Sequence, residues 1–151
     1  VSTAPQDIVA AYFAACNAHD VARIVACHHP DAVNYDSCRP GHPVVGREAI
    51  GRLWERVFTR LPDIRWSEDR VLAVGDEVVV EWTLWATLPG HGPITLSGCD
   101  VYHVRDGLIA NVRQYWDASL FRAAGELRPA ADVDWTQPML RPFPVADDRS
   151  G

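Results

Sequence analysis

The runs EVVVEWTLWATL (Glu77–Leu88), ITLSGCDVYHV (Ile94–Val104) and LIANVRQYW (Leu108–Trp116) decide the fold. Each is rich in Val, Ile, Thr and aromatic residues, which suit a pleated, half-buried surface. Pro89-Gly90-His91-Gly92-Pro93 turns the first run into the second. Asp106-Gly107, a strong hairpin dipeptide, turns the second into the third. Upstream, Ile64–Val74 reads as a further strand that reverses at Gly75-Asp76 into Glu77. The spacing therefore predicts a meander of long antiparallel strands.

The segment before the meander reads as helical. Pro5 suits a first helical turn, and Ile8, Tyr12 and Cys16 recur every four residues with Val9 and Phe13 beside them. Tyr12 is thereby expected to point inward. Asp20 is a good N-cap for a short helix from Val21 to about Cys27. Ala32–Asp36 reads as a short strand, followed by a Pro/Gly-rich loop over Ser37–Gly46. A third helix is expected from about Arg47 to Arg60, where Ile50, Leu53, Trp54, Val57 and Phe58 follow the 3.6 period and Pro62 stops it.

Helices followed by a strand meander argue an α+β fold: a cone-shaped, curved antiparallel sheet packed by three N-terminal helices. A pocket is expected between the first helix, the third helix and the sheet. Residues 1–127 are read as one domain and 128–151 as a Pro-rich tail, with a short helix expected over Ala118–Leu127. The 151 residues, 48% of them hydrophobic, suffice for one core. A net charge of −6 with interspersed signs speaks against nucleic acid as a partner, since phosphate binding needs a concentrated basic face. No apolar run approaches 18 residues, so no membrane partner is expected, and a cytoplasmic location is.

Asp100 is the most informative residue. Alternation puts Leu96, Gly98, Asp100, Tyr102 and Val104 on one strand face, and neither face looks solvated. Burial would raise the Asp100 pKa, and a protonated carboxyl can donate a hydrogen bond. The plainer reading is an Asp paired with an Arg such as Arg113, or bonded to a turn. Asp36, where the first strand enters the long loop, has an equally plain reading as a turn-starting Asp. Tyr12 alone could be a core aromatic whose hydroxyl meets a water or carbonyl. Together the three are brought by the chain path toward one pocket.

The runs Ala11-Tyr12-Phe13, His19-Asp20-Val21 and Asp31-Ala32-Val33-Asn34-Tyr35-Asp36 carry a resemblance. So do Gly46-Arg47-Glu48-Ala49-Ile50, Cys99-Asp100-Val101-Tyr102, Asp106-Gly107-Leu108-Ile109 and Gln114-Tyr115-Trp116. From about Ile8 to Trp116 the chain resembles a bacterial ketosteroid isomerase. That enzyme lies within the nuclear transport factor 2-like superfamily, which also holds SnoaL-like polyketide cyclases and limonene epoxide hydrolase. The resemblance implies Asp36 as the proton-shuttling base, with Tyr12 and Asp100 as the oxyanion hole. This enzyme is itself a standard example of a carboxyl kept neutral near pH 7. Where the isomerase supports its tyrosine with further tyrosines, this chain has His29 and Trp54. The epoxide hydrolase set would fall near Glu81, Thr83 and Gln114, which lack its charges.

The expected activity is cofactor-independent acid–base chemistry on a small apolar, steroid- or polyketide-like carbonyl compound. A steroid Δ-isomerase-like proton shuttle through a dienolate is the first form of it. The alternatives are a SnoaL-like cyclase or dehydratase, and a non-catalytic, small-molecule-binding dimeric module. Trp54, Phe58, Trp85 and Trp116 are candidate substrate contacts, although tryptophans on strands also serve cores and dimer contacts. A homodimer is expected, because a single cone leaves one sheet face open. No cofactor or metal is expected: the histidines lack ligand spacing, and no Gly-rich phosphate loop occurs. Cys16, Cys27, Cys38 and Cys99 are scattered and read as reduced thiols.

Overall fold

The structure, a computed structural model, describes residues 4–39 and 41–125. The predicted tail over 128–151 lies outside the described residues.

Helix α1 (Pro5–Asn17) starts at Pro5, and the Asp7 carboxylate accepts the Ala4 N–H at 3.2 Å. Val9, Tyr12, Phe13 and Cys16 form its buried stripe, so Tyr12 does point inward. Asp20 caps α2 (Val21–Ala26) by accepting the Arg23 N–H at 3.0 Å, a contact typically worth about 1 kcal/mol. Helix α3 (Arg47–Arg60) has the predicted limits and buries Ile50, Gly51 and Trp54. A Cβ on Gly51 would stand 2.7 Å from Val25, so the absent side chain lets α2 and α3 approach closely.

The strands are β1 (His28–Asp36), β2 (Val44–Val45), β3 (Arg65–Val74), β4 (Glu77–Leu88), β5 (Gly92–Arg105) and β6 (Leu108–Trp116). They form one sheet in the order β2-β1-β6-β5-β4-β3. All neighbours are antiparallel except β1 and β6, which run parallel. That pairing departs from the wholly antiparallel expectation, and it follows from the helical segment carrying the chain from β1 across to the far edge. Strand β1 also begins four residues before its predicted start, and β2 occupies part of the expected loop.

One irregularity decides which residues meet at the site. Asp106 and Gly107 both have positive φ, 53° and 75°, as a tight hairpin turn demands. Beside the turn Arg105 faces Leu108 and Val104 faces Ile109. The register then shifts, and His103 faces Asn111. This bulge inserts Ala110 into β6, so Gln114 rather than Arg113 stands opposite Asp100. Because side chains alternate, a one-residue slip exchanges the faces of the whole strand beyond it.

The core lies between the inner sheet face and the helices. Val78, Val80, Trp82, Leu84, Ala86 and Leu88 form the buried row of β4. Asp100, Tyr102 and Val104 continue it on β5. After β6, α4 (Ser119–Ala123) is shorter than the helix expected there, and its Phe121 meets the Trp116 ring edge-on at 5.3 Å.

Candidate functional site

Three residues on adjacent strands form one rung across the sheet. Asp36 of β1 faces Gln114 of β6, which faces Asp100 of β5. The Cα atoms of the two carboxylic residues are thus two strand spacings apart, roughly 10 Å. All three line a cavity of about 160 Å³ that Tyr12, Trp54 and Trp116 also line. Its remaining wall is chiefly apolar and aromatic, from α1, α3 and the inner sheet face.

Asp100 is 3% exposed. Its Oδ2 accepts the Tyr102 hydroxyl at 2.8 Å and, at 3.5 Å, the Gln114 side-chain amide. Oδ1 is buried and has no hydrogen-bond partner among the described residues. Burial raises the Asp100 pKa to about 6. The Trp82 indole opposes this, as do Tyr102 and Gln114, while the Asp36 charge adds to it. The direction matches the sequence expectation. The donors keep the carboxyl half protonated near pH 6 instead of neutral far above it. An anion bound beside it would push the proton back on, by like-charge repulsion.

Asp36 makes the turn contact of its plain reading and also lines the cavity. Its Oδ1 accepts the Cys38 N–H at 2.8 Å, a turn contact, and the Trp116 indole N–H at 3.1 Å. Both of these contacts fall on Oδ1. Cys38 is itself buried, with its Sγ donating to the Trp116 carbonyl at 3.6 Å. Burial, and then the Asp36 charge, push the Cys38 thiol up to about 12, so it stays a donor.

Tyr12 sits at the centre of an aromatic cluster. Its ring meets those of Phe13, His28, Trp54 and Tyr102 edge-on, with centroids 5.2–6.1 Å apart. Burial is the first cause that raises its phenol well above the ordinary range, so it remains protonated. His28, not His29, is the histidine beside Tyr12. Strand β1 starts at His28 and turns that ring inward, where Nδ1 donates to the Ile24 carbonyl at 2.8 Å. His29 faces outward and pairs with Asp31 and Arg105.

Of the predicted substrate contacts, Trp54 and Trp116 line the cavity and two do not. Phe58 lies behind Trp54, stacked on it at 5.4 Å and on His19 at 4.3 Å. His19 is half-buried there and bonds the Ile64 carbonyl at 2.9 Å. Trp85 is 44% exposed on the outer sheet face. The buried row of β4 has even numbers, so Trp82 is the tryptophan that reaches the cavity. Trp82 crosses over Gly98, its partner on β5, where a Cβ would collide with the indole. Tyr102, Gln114 and Trp82 were not singled out as site residues, although alternation alone places Tyr102 beside Asp100.

A carboxylate, a phenol and a carboxyl titrating near 6, on the wall of one apolar cavity, can take a proton from carbon and hold the resulting oxyanion. Among the described residues no group of three or more His, Cys, Asp or Glu side chains is placed to hold a metal ion. No described helix is long and apolar enough to cross a membrane.

The SnoaL-like domain family matches residues 9–112. Comparison with curated proteins finds no match. Several solved structures are similar. A hypothetical protein of Catenulispora acidiphila with a ketosteroid isomerase-like fold, crystallised with trimethylamine, is 21% identical with a TM-score of 0.71. The match covers 82% of this chain and 95% of that one. IdmH of Streptomyces antibioticus, a proposed polyketide cyclase, is 23% identical with a TM-score of 0.70, over 81% of this chain and 98% of its own. A proposed polyketide cyclase of Sinorhizobium meliloti is 27% identical with a TM-score of 0.59, over 72% and 93%. The nuclear transport factor 2-like architecture is common to this chain and these structures.

Proposed function

The chain belongs to the SnoaL-like domain family, and from that premise we propose that it is a cofactor-independent acid–base enzyme acting on an enolisable carbonyl compound. The observation that carries the reading is the Asp36–Gln114–Asp100 rung on the wall of an apolar cavity. Asp36 takes the proton alpha to the carbonyl through Oδ2, the oxygen that its turn leaves available. Tyr12 and Asp100 then stabilise the enolate oxygen. Electrostatic stabilisation counts for more in such a cavity than in water, because the apolar walls screen less.

The cavity size bears on the substrate. An engineered apolar cavity of about 150 Å³ takes up benzene, so the space here, which is partly open to solvent, fits one ring. A polycyclic substrate would extend beyond it. Ring closure or dehydration of a polyketide-type compound is therefore the favoured form of the chemistry. Its support is the SnoaL-like family together with the proposed cyclases among the similar structures. The steroid isomerase form stands second.

The test is turnover by the purified chain and by Asp36→Asn on a panel of β-polyketones and 3-keto-Δ5-steroids. We expect turnover of at least one substrate. Asp36→Asn should lower kcat by about 100-fold or more, the usual scale for losing a general base, with an unchanged circular dichroism spectrum. An Asp36→Asn protein as fast as the wild type would overturn the assignment. Binding without turnover across the panel would favour a carrier.

A further inference from the structure

Each oxygen of the Asp100 carboxyl has a different environment, and that difference has a chemical consequence. Oδ2 accepts two hydrogen bonds, from the Tyr102 hydroxyl at 2.8 Å and from Gln114 at 3.5 Å. Oδ1 accepts none among the described residues, although it is buried. Gln114 Nε2 can only donate. With Oδ2 occupied as an acceptor, a proton on the carboxyl belongs on Oδ1. We propose that Tyr102 is a positioning residue that fixes the Asp100 carboxyl and makes Oδ1 the oxygen that carries the proton toward a ligand.

The inference rests on the acid–base reading of the cavity and adds a residue to it. Tyr102 and Asp100 are two apart on β5, so they share the inner face and their bond lies within a single strand. The Tyr102 ring is fixed independently, edge-on to Tyr12 at 5.9 Å and to Phe13 at 6.2 Å. Its phenol is pushed well above the ordinary range by burial and by the Asp100 charge, so Tyr102 keeps its own proton throughout. Within the Tyr102–Asp100 pair the proton that moves is the one on Oδ1, shared with the ligand oxygen and returned when product leaves; the proton from carbon is carried by Asp36. No bond to carbon forms at either residue.

The groups around Asp100 come from every element packed on it. Tyr12 and Cys16 stand on α1, Asp36 on β1, Trp82 on β4 and Gln114 on β6. Asp36 raises the Asp100 pKa, and Trp82, Tyr102 and Gln114 lower it. Tyr102 differs from Trp82 in forming a hydrogen bond to the carboxyl, at 2.8 Å, and from Gln114 in distance. Removing its hydroxyl must therefore shift the balance toward the protonated acid.

The experiment follows the Asp100 carboxyl by carbon-13 NMR in the full chain, for wild type, Tyr102→Phe and Tyr12→Phe, with 2-naphthol affinity measured alongside. We expect Tyr102→Phe to move the Asp100 midpoint upward by about one pH unit, the scale of losing one donor to a carboxylate. Tyr12→Phe should leave that midpoint in place. An Asp100 midpoint unchanged in Tyr102→Phe overturns the proposal. If Tyr102→Phe does not fold, the wild-type Tyr102 hydroxyl proton serves instead. Its resonance must shift with the Asp100 titration, and a resonance that ignores it overturns the proposal equally. Naphthol reads the other question: failure of wild type to bind it counts against the oxyanion site, while the Tyr102 result stands on the carboxyl titration alone.

Discussion

Asp100 is held in a cavity wall by a balance that stability measurements can read. Its carboxyl has an ordinary pKa of 3.8 and titrates at about 6 in the fold, so the folded chain holds this proton more tightly than the unfolded chain. The corresponding stabilisation is complete below pH 3.8 and is lost as pH rises through 6, a change of roughly 3 kcal/mol. His28 acts with the opposite slope. Burial lowers its pKa from 6.5, so stability falls as pH drops below that value. Asp100→Asn removes the first effect and keeps the second. Denaturant unfolding from pH 4 to 8 should show the variant gaining on wild type as pH rises, most of it between pH 4 and 6. A constant difference across that range would mean that Asp100 is not buried as described.

At the scale of elements, β5 and β6 shape the site through two local departures from regular pairing. The first is Gly98, over which the Trp82 indole lies. Gly98→Ala would force the ring to move, toward the cavity or off its rotamer, at a typical overpacking cost of about 1–3 kcal/mol. Naphthol affinity should fall by about tenfold or more, and the melting temperature should drop with it. An alanine variant with wild-type affinity would show that the indole does not shape the cavity. The second departure is the bulge at Ala110. Counting back from the Asp106-Gly107 turn without it sets Arg113 opposite Asp100, which is the ion pair that the sequence offered as the plain reading. With the bulge, Gln114 takes the inner face, and a neutral amide replaces a guanidinium beside the acid. An adjacent Arg would have held the carboxyl ionised, so the bulge supports the raised pKa.

At the scale of the molecule, the helices cover one sheet face, and among the described residues no helix covers the other. Trp85 and Tyr115 stand on that outer face, 44% and 41% exposed, and Val79 pairs with Val101 across the same surface. We propose this face as the contact of a homodimer, since exposed aromatics at the centre of a sheet are what an interface buries. Sedimentation velocity should give a dimer for the wild type and a monomer for a Trp85→Glu, Tyr115→Glu double variant. A wild-type monomer at micromolar concentration would rule the contact out. Neither residue lines the cavity, so ligand affinity in the double variant separates assembly from binding.

Much of this was legible in the linear chain, for reasons particular to certain residues. Local patterns placed α3 and β4, because helical periodicity and Pro62 bound the one and turn residues bound the other. Strand alternation made Asp100 an inward carboxyl beside Tyr102, and the four-residue repeat turned Tyr12 toward it. The same parity would have placed Trp82 inside and Trp85 outside, since an odd separation on a strand means opposite faces. His28 was missed because β1 begins before any β-rich pattern does. What no local pattern could supply was the bulge at Ala110, the parallel pairing of β1 with β6, and so the rung that joins Asp36, Gln114 and Asp100. Those depend on which backbone groups find partners in distant strands, a choice made only when the sheet closes around its core.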